Sequence, residues 1–269
     1  MPPRALDALR ASACVYAEDT RVTGKLLALF DIHTHLERCD EATIAAKAPE
    51  IIERVRAGEV LAYCSDAGMP GVSDPGMRLV AAAHAADAPV EVLAGPTAVT
   101  LAYVASGFAC PRFYFGGFFP RKAGERAKTL ESLATLDAVL VFYESPNRVA
   151  DALEAMASVF PSRKAAVCRE LTKLHEEILI DDTRALAQEF AHRQARDEIR
   201  GEFVLVLDAP TSEEHAQVHQ DAAEAARARA AELLSEGKLS KKDVAKHLAN
   251  EFGLKRNEAY EMVLEISAS

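Results

Sequence analysis

Three short stretches set charged side chains beside apolar runs: Glu18, Asp19 and Arg21 in "AEDTRVTGKLL" (17–27), Glu144 and Arg148 in "VFYESPNRV" (141–149), and Arg169, Glu170, Lys173 and His175 in "RELTKLHEE" (169–177). Charged groups next to apolar surface need partners. They either neutralise one another as structural ion pairs or line a cleft, where a carboxylate takes a proton and a cation holds an anion. A second signal is in the backbone. Residues 63–76, "YCSDAGMPGVSDPG", place three glycines, two prolines and two aspartates directly after an apolar run. Such a stretch suits neither helix nor strand and is expected to be a loop that turns the chain or receives a ligand. A second loop, "LAGPTAVT" (93–100), puts Thr97 where a helix N-terminus offers backbone N–H groups to an anion.

The elements that must position these groups alternate along the chain. Strands are expected at 14–17, 60–64, 90–93, 113–119, 138–143, 164–168, 177–180 and 203–207, and helices at 41–57, 75–86, 97–106, 146–159, 183–196 and 213–236. This alternation predicts α/β layers with largely parallel sheets. Both Gly/Pro loops then lie outside the carboxyl ends of strands, where open α/β sheets bind ligands. The expected organisation is an N-terminal α/β domain (1–110), a second α/β domain (111–210), and a connector helix with a small helical module (211–269). In that module Ser240 and Asp243 read as a capping box, and Val244, Leu248 and Phe252 share one helix face. Gly253 permits a turn, and Leu254, Tyr260, Val263 and Leu264 continue the apolar side, giving a helix-turn-helix-like unit.

With 269 residues, 49% of them apolar, the chain can bury a substantial core. A net charge of −10 excludes indiscriminate coating of nucleic acid, yet cations cluster locally. "FFPRKAGERAK" (118–128) holds four cations against one acid, and "KLSKKDVAKHLANEFGLKR" (238–256) holds six against two. Arg121, Lys122, Arg126 and Arg148 near the strand ends, and Lys241, Lys242, Lys255 and Arg256 on the C-terminal module, are expected contacts for an anionic partner. The alternative for both clusters is a solvated face. Cys14, Cys39, Cys64, Cys110 and Cys168 are scattered, with no histidine at metal-ligand spacing, and are expected as buried thiols rather than a metal site. No apolar run reaches the roughly 18 residues of a membrane span, and the N-terminus lacks a signal-peptide pattern, so a cytoplasmic protein is expected.

Seven blocks in order carry a resemblance: the three charged stretches above, "SDAGMPGVSDPGMRLV" (65–80), "VEVLAGPTAVTLA" (90–102), "FYFGGFFPRKAGER" (113–126) and "GEFVLVL" (201–207). Together they resemble the tetrapyrrole methylase superfamily (class III methyltransferases). Within it they are most similar to the branch that methylates the ribose 2′-hydroxyl of a cytidine in small-subunit (16S) ribosomal RNA. The resemblance implies S-adenosylmethionine as cofactor, two α/β domains with a cleft between them, a homodimer, and 16S rRNA, within the small ribosomal subunit, as partner. It implies neither a membrane nor a metal. It places Ser65, Asp66, Ala67, Gly68, Met69 and Val72 in the cofactor turn, with Thr97 and Ala98 against the cofactor and Tyr143 closing the cleft. A ribose hydroxyl needs a proton acceptor and alignment, and among the charged groups at strand ends Glu170 is expected as base or hydroxyl-orienting group, with Lys173 or Arg169 holding a phosphate and Asp19 or Glu144 as the alternatives to Glu170.

One departure is visible. The resemblance implies a strand and a Pro/Gly turn ahead of the first block, but helix-like "ALDALRASA" (5–13) stands there instead. An exposed sheet edge is therefore expected, with either a start assigned too far downstream or an impaired cleft. Two other functions remain open at this stage. One is tetrapyrrole C-methylation, which the basic segments disfavour, and the other is a non-catalytic RNA- or ribosome-binding relative.

Overall fold

The chain opens with α1 (Pro3–Ala11) and then alternates through β1 (Cys14–Ala17), α2 (Thr20–Leu29), β2 (His35–Arg38), α3 (Ile44–Arg56), β3 (Leu61–Cys64), α4 (Gly76–Ala85) and α5 (Ala98–Ser106). This computed structural model describes residues 1–269 apart from Ala67, Gly237, Lys238, Gly253 and Ser269, and apart from the side chains at 215, 217–219, 221, 222, 236 and 268. β1 pairs in parallel with β2 on one side and β3 on the other. Cys14 and Tyr16 pack with Ile44 and Ile51 of α3, whereas Val15 packs with Leu9 of α1 and Leu27 of α2. That two-residue alternation is what a sheet covered on both faces requires.

Segment 90–93, expected as a strand, is not one. Val92 is 64% exposed, and β3 has no partner on its outer side among the described residues. β-propensity needs a neighbouring strand to take up backbone N–H and C=O groups, and residues 90–93 have none. The expected exposed edge is therefore present. Conversely, β2 ("HLER") and α2 form where the sequence predicts no element; β2 is mostly polar and is held in the sheet by pairing with β1.

The second half contains β4 (Phe113–Phe118), α6 (Ala123–Ser132), β5 (Val139–Glu144), α7 (Val149–Val159), β6 (Lys164–Arg169), β7 (Glu177–Asp182), α8 (Thr183–Ala195) and β8 (Phe203–Leu207). Its sheet order is β4-β5-β8-β6-β7, and only β4–β5 is parallel. The expectation of largely parallel sheets fails here because β6 and β7 pair as an antiparallel hairpin and β8 inserts antiparallel between β5 and β6. One face is covered by α6, α7 and α8 through Leu130, Leu153, Met156, Leu186 and Phe190. The other carries α5 through Val99 and Ala102. Thus α5, which precedes the expected division at 110, packs on the second sheet and brings its N-terminus to it.

After β8 come α9 (Ser212–Glu236), α10 (Lys241–Phe252) and α11 (Arg256–Ala268), which share a small core of Ala230, Leu233, Val244, Leu248, Ala259 and Val263. Ser240 accepts the Asp243 amide at 3.2 Å, as a helix cap. The inner face of α11 is Ala259, Met262 and Val263. Tyr260 and Leu264, expected on the apolar side, are exposed, because they fall a residue outside that helical stripe. The Gly253 turn lies outside the described residues. No described helix is long and apolar enough to cross a membrane.

Candidate active site

The two Gly/Pro loops meet. Ser65 and Gly68 form an isolated bridge after β3, and the Met69 amide donates to the Pro96 carbonyl at 2.9 Å. Gly68 has φ +101°, and a Cβ there would lie 2.4 Å from that same carbonyl oxygen, so only glycine fits. Asp74 pins the rest of the loop by accepting from the amides of Gly71 (2.9 Å) and Gly76 (2.8 Å). Asp66 ties it to the first stretch by accepting the Asp19 amide at 3.3 Å. Thr97 caps α5 by accepting the Thr100 amide at 3.1 Å, and Val72 and Ala98 pack on the face of the second sheet that carries α5.

Tyr143 closes this junction from β5. Its phenol is pushed up by burial, and the Val99 backbone amide of α5 faces its oxygen. Its ring packs edge-on against Phe115 (4.9 Å) and Phe118 (5.6 Å). Gly117, at φ +70°, lies in the register shift between Phe115 and Phe118. Such a bulge re-aims side chains. Phe119 is buried against Phe142, while Phe118 is 58% exposed. Beyond Phe118 lies a pocket of about 720 Å³ lined by Phe118, Phe119, Pro120, Arg121, Ser145, Asn147 and Arg148.

The proposed acid–base groups occupy adjoining strand ends in different states. Glu170, at φ 47° in the β6–β7 turn, accepts from the Glu202 amide (2.8 Å) and from Lys173 Nζ (3.0 Å). These donors, the amide first, hold its carboxyl below the usual range. Lys173 also pairs with Glu202 at 2.7 Å. Asp19 caps α2 and pairs with Arg21 at 2.5 Å, and Arg21 holds its carboxyl well below the usual range. Glu18 is the opposite case: burial, then neighbouring Asp66 and Asp74, push its pKa up. Glu144 has a fully buried side chain. Burial pushes its pKa up, it accepts the Ser145 amide at 2.7 Å, and it pairs with Arg148 at 2.5 Å.

The structure therefore gathers Ser65, Asp66, Gly68, Met69, Val72, Thr97, Ala98 and Tyr143 in one place, with Asp19 joined through Asp66. Ala67 lies outside the described residues. Glu170 and Lys173 stand along the same sheet edge, whose order is fixed by Phe118 beside Tyr143, Glu144 beside Phe203, and Phe203 beside Arg169. Asp74, Ser145, Asn147 and Phe118 were not singled out from the sequence. The Gly71 and Gly76 positions flanking Asp74 and the "SPN" turn were the available signals.

Among the cations, Arg121 and Lys122 are exposed and Arg148 lines the pocket. Arg126 is a correction. It is 5% exposed and donates to the Pro120 carbonyl (2.9 Å) and the Arg121 carbonyl (3.2 Å), so it braces the loop instead of facing RNA. Lys241, Lys242, Lys255 and Arg256 are exposed near the N-termini of α10 and α11, away from that loop in sequence and on a separate core. Pairing of β1 with β2 also brings the donor atoms of Cys14, His35 and Glu37 within 4.8 Å of one another, which the scattered cysteines did not foretell. Lys47 bonds that Glu37, and Arg54 lies against Cys14.

Comparison with known proteins matches residues 1–187 to the family model of tetrapyrrole (corrin/porphyrin) methylases. A ribosomal RNA small subunit methyltransferase I of Synechocystis sp. is 34% identical over 269 residues, covering 100% of this chain and 94% of that one. One from Bacillus subtilis is 38% identical over 211 residues, covering 78% of this chain and 71% of its own. Among solved structures, diphthine synthase superposes with a TM-score of 0.59 at 13% identity, covering 81% of this chain and 88% of that chain, a likeness of fold.

Proposed function

Because this chain belongs to the tetrapyrrole methylase family, alongside the ribosomal RNA small subunit methyltransferases I, we propose that it transfers a methyl group from S-adenosylmethionine to the 2′-oxygen of a cytidine in 16S rRNA. The observation that carries the site is the Gly68–Pro96 junction under Tyr143. A backbone-lined cradle with no room for a Cβ suits a ligand that must be approached closely, and it adjoins a pocket lined by aromatic and cationic side chains. Ser65, Asp66, Gly68, Met69, Val72, Thr97, Ala98 and Tyr143 would hold the cofactor, which when bound supplies an electrophilic sulfonium methyl.

The protein's own task is then to align the ribose hydroxyl and receive its proton. A carboxyl held low is a weak base, so Glu170 serves to orient Lys173 at the sheet edge. Asp19, held low by Arg21, is a cap. Glu18, pushed up beside the loop junction, is the carboxylate suited to accept the proton. Arg121, Lys122 and Arg148 would meet phosphates near the chemistry, and Lys241, Lys242, Lys255 and Arg256 would do so on the C-terminal module.

With it go an assembled small subunit as substrate, a cytoplasmic setting, no metal requirement, and chain divisions at 110 and 210, with α5 crossing over the first of them to pack on the second sheet. A homodimer is supported by exposed apolar side chains on the α5 face of the second sheet, Leu101 and Val104 of α5 and Phe113 of β4, where Tyr103 packs on Phe113 with ring centroids 5.0 Å apart. The test is incubation with labelled S-adenosylmethionine and small subunits lacking the modification, followed by mapping of the labelled nucleotide. Incorporation at a 2′-oxygen is expected, and a label on a base or on protein overturns the assignment.

A further inference from the structure

We propose that the pocket beyond Phe118 is a subsite for one splayed-out nucleotide of single-stranded RNA, the neighbour of the nucleotide being methylated, with its base stacked on Phe118 and its phosphate held by Arg148 and Arg121. This rests on the reading of the protein as an rRNA methyltransferase. The site is built before any ligand arrives. Arg148 is clamped by two partners: its Nε donates to Ser145 Oγ at 3.0 Å and its Nη2 pairs with buried Glu144 at 2.5 Å. Its Nη1 is buried and has no partner. A guanidinium fixed in this way loses little freedom on meeting a phosphate, which would take the donor hydrogens that Ser145 and Glu144 leave open. Among the described residues no acidic side chain lines the pocket, and Arg121 adds an exposed cation at its rim.

Phe118 supplies the other half. An exposed phenylalanine ring in an aqueous pocket leaves apolar surface in water, and stacking a base on it removes that cost for any base. Edge contact with Tyr143 holds the ring at the border between cleft and pocket. A base on the pocket side of Phe118 therefore places its neighbour on the Tyr143 side, beside the loop junction. At about 720 Å³ the pocket is of the size that takes ligands as large as a nucleotide. A paired base cannot enter, so the subsite selects single strands or loops.

The probe is a labelled six-residue pyrimidine oligoribonucleotide, followed by fluorescence anisotropy and compared with the same strand in a duplex. Phe118→Ala is expected to weaken single-strand binding about tenfold, and Phe118→Trp to stay within about threefold of wild type. Arg121→Ala is expected to lower the salt slope by about 1. All three should keep wild-type affinity for S-adenosylhomocysteine, so a folding defect is separable from a lost subsite. Unchanged oligonucleotide binding in both Phe118→Ala and Arg121→Ala overturns the proposal. Equal sensitivity of the duplex to Phe118→Ala also overturns it. The underlying reading fails separately, if wild-type protein binds S-adenosylhomocysteine yet transfers no methyl group to 16S rRNA or small subunits.

Discussion

The amide of Met69 donates to the carbonyl of Pro96 across 2.9 Å, and through that one bond the loop after β3 and the loop before α5 become a single surface. Neither loop needs the other to turn the chain. Their contact makes a concave, backbone-lined floor facing Tyr143.

Gly68→Ala should separate the two loops, because the new methyl would meet the Pro96 oxygen and the backbone would be strained at φ +101°. Isothermal titration with S-adenosylhomocysteine is expected to register at least a tenfold loss of affinity. Gly124→Ala, in α6 with open space around it, should bind normally and be slightly more stable, by about 0.5–1 kcal/mol. Normal binding by Gly68→Ala would place the cofactor elsewhere.

Two carboxamide variants separate the acid–base roles. Glu18→Gln is expected to lose methyl transfer about a hundredfold or more with cofactor affinity kept, whereas Glu170→Gln should lose less than about tenfold. The reverse order of effects would return the proton to Glu170.

Glu170 also makes a pH-dependent contribution. Its carboxyl is held below its ordinary 4.5 in the folded protein, so the stability it provides is complete above that value and is lost as pH falls through its depressed pKa. Glu170→Gln should therefore melt below wild type at neutral pH, with the gap closing as pH drops under 4.5. Differential scanning calorimetry across that range gives the answer, and a gap that is constant with pH would contradict the assignment.

Arg126→Met should cost stability, about 2–3 kcal/mol, because it leaves the Pro120 and Arg121 carbonyls without their charged donor. The salt dependence of RNA binding should not move. If urea denaturation finds wild-type stability and the salt slope flattens, Arg126 faces RNA after all.

Neutralising Lys241, Lys242, Lys255 and Arg256 together should flatten the slope of log affinity against log salt by up to roughly 3–4, if each meets one phosphate. Turnover at saturating rRNA should change little. The pair Arg121 and Lys122 should affect the slope less and turnover more, because that segment follows β4 beside the pocket. Binding curves at several salt concentrations, with methyl incorporation for each variant, decide between docking and a solvated face.

What the sequence disclosed was mostly local. Thr97 as a cap and the Gly/Pro loops follow from residue types that favour one backbone conformation, and β1, β5 and β8 follow from short apolar runs. What it hid depends on partners far away in the chain. Residues 90–93 have strand composition and no neighbour, while "HLER" has weak strand composition and an available one. Arg126, in the basic stretch 118–128, and Arg148, beside Glu144, both read as cations free to meet a phosphate near strand ends. Only the tertiary structure turns one inward onto carbonyls and clamps the other at a pocket wall. Glu18 and Glu170 are both single carboxylates on paper, and burial against amide donation sets them apart.

β8, the last strand made, fills the middle of the five-stranded sheet. During synthesis, everything up to residue 202 leaves two unjoined ribbons, β4–β5 and β6–β7, whose raw inner edges are apolar, Val139 to Phe142 on β5 and Ala165 to Cys168 on β6. Such edges pair promiscuously, and long-range closure is slow. The growing protein thus passes through a vulnerable interval that ends when 203–207 emerges and zips both ribbons together. Premature termination before that point should yield insoluble material, and the pocket walls built from 118–121 and 145–148 should reach their final spacing only after the zip has closed.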